Sequence, residues 1–189
     1  MIHSQAFERL MGHEGFYSND PDDSGGETIY GIARKFHPTS AVWAIIDEAK
    51  EASGFPNSLK RNEALRNAAK AFYKKEFWDV LKCDSIEDPL MQYELYDTGV
   101  NQGVGTAGKF FQEALNLCNR NQKDYADISV DGGIGNATLS AYGKSRKKSV
   151  YNTVNLLQGE RYMNIVRKKP SQEKYFNGWL NRIDIQRKD

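Results

Sequence analysis

Apolar residues recur every three or four positions along most of this chain, and that period constrains its fold class more than any other feature. Ile2, Ala6, Phe7, Leu10 and Met11 mark an opening amphipathic helix that ends near Gly12 or Gly15. Val42, Ile45, Ile46 and Ala49 form the face of a second helix, and Leu65, Ala68, Ala69, Phe72 and Tyr73 that of a third, with Gly54 and Pro56 between them. The period returns in Leu90–Val100 and Ala107–Cys118, through Met91, Leu95, Phe110, Phe111, Ala114 and Leu115. A glycine-rich loop with Asp131, Gly132, Gly133 and Gly135 precedes a short helix from Asn136 or Thr138. A long helix over Ser149–Lys169 follows, carrying Val150, Val154, Leu157 and Ile165. Phe16–Tyr30 breaks the pattern: Asn19, Asp20, Pro21, Asp22, Asp23, Ser24, Gly25 and Gly26 supply turn chemistry between two short extended pieces, a small β-hairpin. The expected class is mainly α with one small β-hairpin near the N-terminus. With 189 residues, 39% of them hydrophobic, the chain is long enough to bury a real core. A lobe boundary is expected near Cys83–Asp88.

The longest apolar run, Ala41–Ile46, has six residues, whereas a membrane span needs roughly 20. Met1–His13 places Glu8 and Arg9 where a secretory signal would be apolar, so the chain is expected to be made in the cytoplasm without a signal peptide. Cys83 and Cys118 fit no metal spacing and read as unpaired, mostly buried thiols. The net charge of +1 hides an asymmetry: Met1–Ser140 holds 14 Lys and Arg against 21 Asp and Glu, and Ala141–Asp189 holds 12 against 4. Such a basic region attracts nucleic acid, membrane or wall polymer without specificity, and is equally an ordinary solvated face.

Chemistry concentrates in residues 13–33. Glu14 follows Leu10 by four positions and Phe7 by seven, at the edge of the apolar face where the first helix gives way to the hairpin. Partial burial there raises a carboxyl pKa and suits a general acid; a carboxylate bound by backbone amides is the plain alternative. Asp20, Asp22 and Asp23 lie across a turn that folds back toward the helix end, which can bring two carboxyls to one cleft, the pair that glycoside hydrolysis uses. Asx-turn capping explains the same residues without function. A calcium loop fails, because Gly31 stands where a bidentate Glu is required. Gly133-Ile134-Gly135 lacks the third glycine of a dinucleotide site, and His3, His13 and His37 make no metal pattern.

The run Glu14-Gly15-Phe16-Tyr17-Ser18-Asn19-Asp20-Pro21, followed by Asp23, Gly25-Gly26, Thr28 and Tyr30-Gly31-Ile32, resembles the opening motif of glycoside hydrolase family 108. These are N-acetylmuramidases found among phage endolysins and secretion-associated murein hydrolases. The spacing of Glu14, Asp23 and Thr28 is also similar to the Glu, Asp, Thr constellation of phage-type lysozymes. Asp97, Val100-Asn101, Gly103, Ala107, Phe111-Gln112, Asp131-Gly132, Ile134-Gly135 and Thr138 resemble a peptidoglycan-binding segment, and Gly178-Trp179-Leu180-Asn181-Arg182 its closing turn. Phe16 stands where the family usually has a second glycine, and Ile29 where it has an asparagine.

The resemblance implies a lysozyme-like two-lobed helical fold, with a muramidase region over residues 1–88 and a helical peptidoglycan-binding region over 89–189. It implies hydrolysis of the β-1,4 bond between N-acetylmuramic acid and N-acetylglucosamine. Glu14 would be the general acid and Asp23 the group that positions water or stabilises positive charge, with Thr28 holding that water. Asp20, Asp97 and Asn101 would contact substrate, and Tyr17, Tyr30, Tyr96 and Trp179 would offer flat faces to sugar rings. The implied partner is the peptidoglycan glycan strand, not nucleic acid, met by a monomer after holin- or secretion-dependent release. No cofactor or metal is implied. Two other readings remain: a wall-binding module without activity, using Asp97, Asn101 and the basic end, and a lytic transglycosylase that keeps the same cleft and works with one carboxylate.

Overall fold

The computed structural model describes residues 1–11, 16–19 and 26–184. The chain divides into two compact units, Ile2–Trp78 and Asp79–Asp189, the second also including Met1.

In the first unit, α1 (His3–Met11) buries Ala6, Phe7 and Leu10 on one face, as its period requires. Strands β1 (Tyr17–Ser18), β2 (Thr28–Ile29) and β3 (Ile32–Ala33) form an antiparallel sheet in that order. Ser18 faces Thr28 and Ile29 faces Ile32 across the ladder. The third strand exceeds the expected hairpin, and its cause is local. Tyr30 and Gly31 take φ of 49° and 74°, the pair of positive values that a two-residue type I′ turn demands. Gly31 adopts this freely. Tyr30 pays about 1 kcal/mol for it, and its carbonyl accepts a 2.7 Å bond from the buried Tyr73 hydroxyl. Helix α2 (Val42–Lys50) buries Val42, Trp43 and Ile46, and α3 (Glu63–Tyr73) buries Leu65, Ala69 and Tyr73. Asn62 starts α3 by accepting the Leu65 amide at 2.9 Å. A wider π-type turn, Lys74–Trp78, follows it.

The second unit is built on α4 (Pro89–Gln102), which Asp88 caps through the Leu90 amide at 3.0 Å, with Pro89 in the first turn. Helices α5 (Val104–Leu117), α6 (Asn136–Lys144), α7 (Lys147–Lys168) and α8 (Glu173–Leu180) complete it. The division into compact units follows Trp78, ahead of Cys83–Asp88. Leu81, Cys83 and Ile86 are buried, and the Gln92 amide of α4 donates to the carbonyls of Cys83 and Ile86 at 3.1 and 2.7 Å. The segment before α4 therefore packs with it. Gly103, at φ 90°, turns the chain from α4 into α5. A methyl group on Gly108 would collide with the carbonyl of Gly132, so α5 and the glycine loop touch backbone to backbone. Gln112 clamps that contact: its amide nitrogen donates to Asp131 and to the Gly133 carbonyl at 2.8 and 2.9 Å, while its oxygen accepts the Gly132 amide at 2.7 Å.

Two further differences stand out. Residues around Gly178, read as a closing turn, lie in helix α8, which ends at Leu180. Cys83 is buried as expected, whereas Cys118 caps the end of α5, is half-buried and has its sulfur 3.4 Å from the Thr153 hydroxyl.

Candidate functional site

Glu14, Asp20 and Asp23 lie outside the described residues. Thr28 lies on β2, half-buried, opposite Ser18 on one side and Ala33 on the other. Tyr17 precedes Ser18 on β1, and its hydroxyl donates to Glu27 at 3.0 Å while its ring meets Phe55 edge-on at 5.0 Å. Burial and the Glu27 carboxylate push the Tyr17 hydroxyl up to about 12.

Glu27, which sequence reasoning passed over, organises this corner. Its side chain is only 9% exposed and accepts from Tyr17, from Arg34 at 2.9 Å and from Lys50 at 2.7 Å. Burial opposes its charge, but hydrogen bonds from Lys50, Arg34 and Tyr17 hold its carboxyl below the usual range. The Arg34 amide also donates to the Glu27 carbonyl at 2.8 Å, and the Arg34 guanidinium reaches Asp47 on α2. Glu27 is therefore ionised and fully engaged, which disqualifies it as a proton donor and suits it to anchoring β2 to α2. Nothing in the local sequence signals this, because strand pairing and the approach of α2, not sequence spacing, bring Tyr17, Arg34 and Lys50 to it.

The structure separates the aromatic candidates. Tyr96 is 0% exposed and Tyr30 7%, so both rings are core and neither turns a face to a ligand. Trp179 is half-buried and stacks on Tyr162 at 5.2 Å and on Tyr175 at 6.1 Å. Asp97 is buried and bound by Arg182 at 2.6 Å, so its carboxylate serves an internal ion pair. Asn101 is exposed and donates to the Asp97 carbonyl at 2.8 Å.

Behind Asp97 lies a buried acid that sequence reading missed. Burial, with the nearby Asp97 carboxylate, pushes Glu94 up to about 8. The Thr98 hydroxyl donates to Glu94 at 3.3 Å, and the Gln158 amide of α7 donates in turn to Thr98 at 3.1 Å. The Asp184 amide donates to Asn155 at 2.7 Å, closing the cluster from the C-terminal side. Among the described residues no group of His, Cys, Asp and Glu is placed to hold a metal ion, and no helix is long and apolar enough to cross a membrane.

Comparison with known proteins agrees with this architecture. A helical chain with a small antiparallel sheet is also the fold of SagA from Brucella abortus. Its solved structure superposes with a TM-score of 0.63 at 19% identity, over 96% of this chain and 88% of that one. No curated protein matches the chain. The Glycosyl hydrolase 108 family matches residues 7–103, and a Predicted Peptidoglycan domain matches residues 106–184. The chain belongs to the glycosyl hydrolase 108 family, joined to a peptidoglycan domain, and its function is the degradation or binding of peptidoglycan.

Proposed function

We propose that the protein is a lysozyme-type N-acetylmuramidase that hydrolyses the β-1,4 bond between N-acetylmuramic acid and N-acetylglucosamine. Glu14 protonates the leaving oxygen, and Asp23 positions water or stabilises the oxocarbenium charge, with Thr28 holding that water and Asp20 beside them. Tyr17 and Trp179 are the aromatic side chains retained as sugar contacts, and Asn101 contributes a polar one. The observation that carries this reading is the pairing of Ser18 with Thr28 in a chain of this family. That pairing joins the two ends of the segment bearing Asp20 and Asp23, and Ser18 lies four positions after Glu14. The reaction needs only water. The enzyme acts as a monomer that reaches the wall through a holin or a dedicated secretion route, with glycan strands rather than nucleic acid as its partner.

Glu14→Gln keeps the side-chain shape and removes the acid. It should cut clearance of a purified wall suspension by roughly 10²- to 10⁴-fold with folding intact. Mass spectrometry of the released fragments should show reducing ends. Release of 1,6-anhydro ends would make the protein a transglycosylase, and a suspension that the parent protein leaves opaque would make it a binding module.

A further inference from the structure

Three aromatic rings lie in series on the second unit. Tyr162 on α7 is buried and forms the base, with Trp179 of α8 stacked on it at an interplanar angle of 20°. Tyr175, one helical turn before Trp179, stacks on it at 30° and is 48% exposed. The Lys174 ammonium stands over the Tyr175 ring at 4.9 Å. The series thus runs from core to solvent and ends in a half-exposed aromatic ring with a cation over it.

We propose that Tyr175, Trp179 and Lys174 form a glycan-binding strip, distinct from the hydrolytic residues, that holds an N-acetylated amino-sugar strand bearing carboxylates. The apolar C–H face of a pyranose packs on the exposed Tyr175 ring and the neighbouring edge of Trp179, the flexible Lys174 side chain moving aside; the rings are rigid and lose little entropy on binding. Lys174 takes the carboxylate that a muramic acid residue carries once its stem peptide is gone. Two observations select this occupant. All three residues lie inside the stretch 106–184 matched by the peptidoglycan domain. The surrounding segment, Ala141–Asp189, carries 12 basic residues against 4 acidic ones, which complements an anionic polymer. The proposal rests on the reading of this protein as peptidoglycan-directed, but not on its being a hydrolase.

The chain carries its own probe. Of its three tryptophans, Trp43 and Trp78 are 2% and 0% exposed, leaving Trp179 to report on solvent access. Acrylamide quenching of tryptophan fluorescence is measured with and without two ligands: wall glycan strands stripped of stem peptide, and neutral chito-oligosaccharides. Both should protect Trp179. Tyr175→Ala should weaken both about three- to tenfold at unchanged thermal stability, whereas Lys174→Gln should weaken only the carboxylate-bearing strands. The measurement is repeated on Glu14→Gln protein, so that loss of hydrolysis and loss of binding are read separately. The proposal is overturned if quenching of Trp179 is the same with and without strands, or if Tyr175→Ala binds like the parent. Protection by intact peptidoglycan alone would assign the strip to stem peptide and overturn it too, as would protection produced only by raising the protein concentration.

Discussion

Arg182 donates from Nη1 to the Asp97 carboxylate at 2.6 Å, across 85 positions of sequence, with side-chain exposures of 20% and 9%. Removing one partner of a pair so withdrawn from water leaves the other charge less well compensated, which costs more than the pair itself contributes. Arg182→Met should therefore lower stability by about 1–3 kcal/mol, seen as a fall in the midpoint of denaturant unfolding. Asp97→Asn on top of it should recover part of the loss, because the stranded charge is then gone.

Glu94 supplies a pH signature. Its folded-state pKa is raised to about 8, whereas an unfolded glutamate titrates near 4.3. Between these values the folded protein holds a proton that the unfolded chain releases, so Glu94 favours folding in acid, and that contribution falls as pH rises from about 4.3 to about 8. Thermal melting across this window should show Glu94→Gln gaining on the parent as pH rises, since glutamine keeps an acceptor for the Thr98 hydroxyl and cannot ionise. A constant difference between the two proteins from pH 5 to 8 would contradict the burial of a protonated acid.

The Gln112 clamp sets the glycine loop. Gln112→Leu keeps approximate volume but leaves the Gly132 amide and the Gly133 carbonyl without their partner, a loss of about 1–3 kcal/mol. Gly108→Ala should be at least as damaging, because the added methyl meets backbone rather than a side chain able to rotate away. Urea unfolding measures both, and a neutral Gly108→Ala would mean that α5 and the loop are free to separate.

The cationic face has a narrower composition than a count of lysines suggests. Lys147 points inward: its ammonium donates to the Tyr142 carbonyl and lies 3.7 Å from the Tyr142 ring centre, and burial lowers its pKa. Arg161, Lys168 and Lys169 are exposed. Reversing these three to Glu should weaken sedimentation with purified wall and flatten its dependence on salt, as exposed charges are screened over about 10 Å at 0.1 M. Cleavage of a short soluble glycan should hardly change; equal loss on both substrates would place these residues in the cleft.

The helices were legible because each buries one stripe, and α1, α2, α3 and α5 show theirs in the spacing of apolar residues. Helix α4 is harder to read, since Met91, Gln92, Glu94, Leu95, Tyr96, Asp97, Thr98 and Gly99 are all buried and contrast between faces is lost. The same all-round burial removes Tyr96 from any role as a sugar platform and hides Glu94 among residues that look like a polar face. Strand β3 escaped because Tyr30 occupies a backbone conformation that its residue type rarely takes, with only Gly31 to announce the turn. Thr28 falls on an extended segment, as the hairpin pattern over Phe16–Tyr30 suggests. Glu27 gave no sign at all, since its cations arrive from the residue after β3 and from α2 through the fold rather than through spacing.

The ties that close the second unit also impose an order on biosynthesis. Ile2–Trp78 is a compact unit drawn from one continuous stretch, and that stretch leaves the ribosome first. The cluster around Glu94 is incomplete until Arg182 and Asp184 arrive to meet Asp97 and Asn155. At elongation rates of about 5–20 residues per second, the first unit leads by roughly 5–20 s. During that interval α4 holds buried-type polar groups without their final partners, and it is this unfinished half that a chaperone or protease meets on the nascent chain.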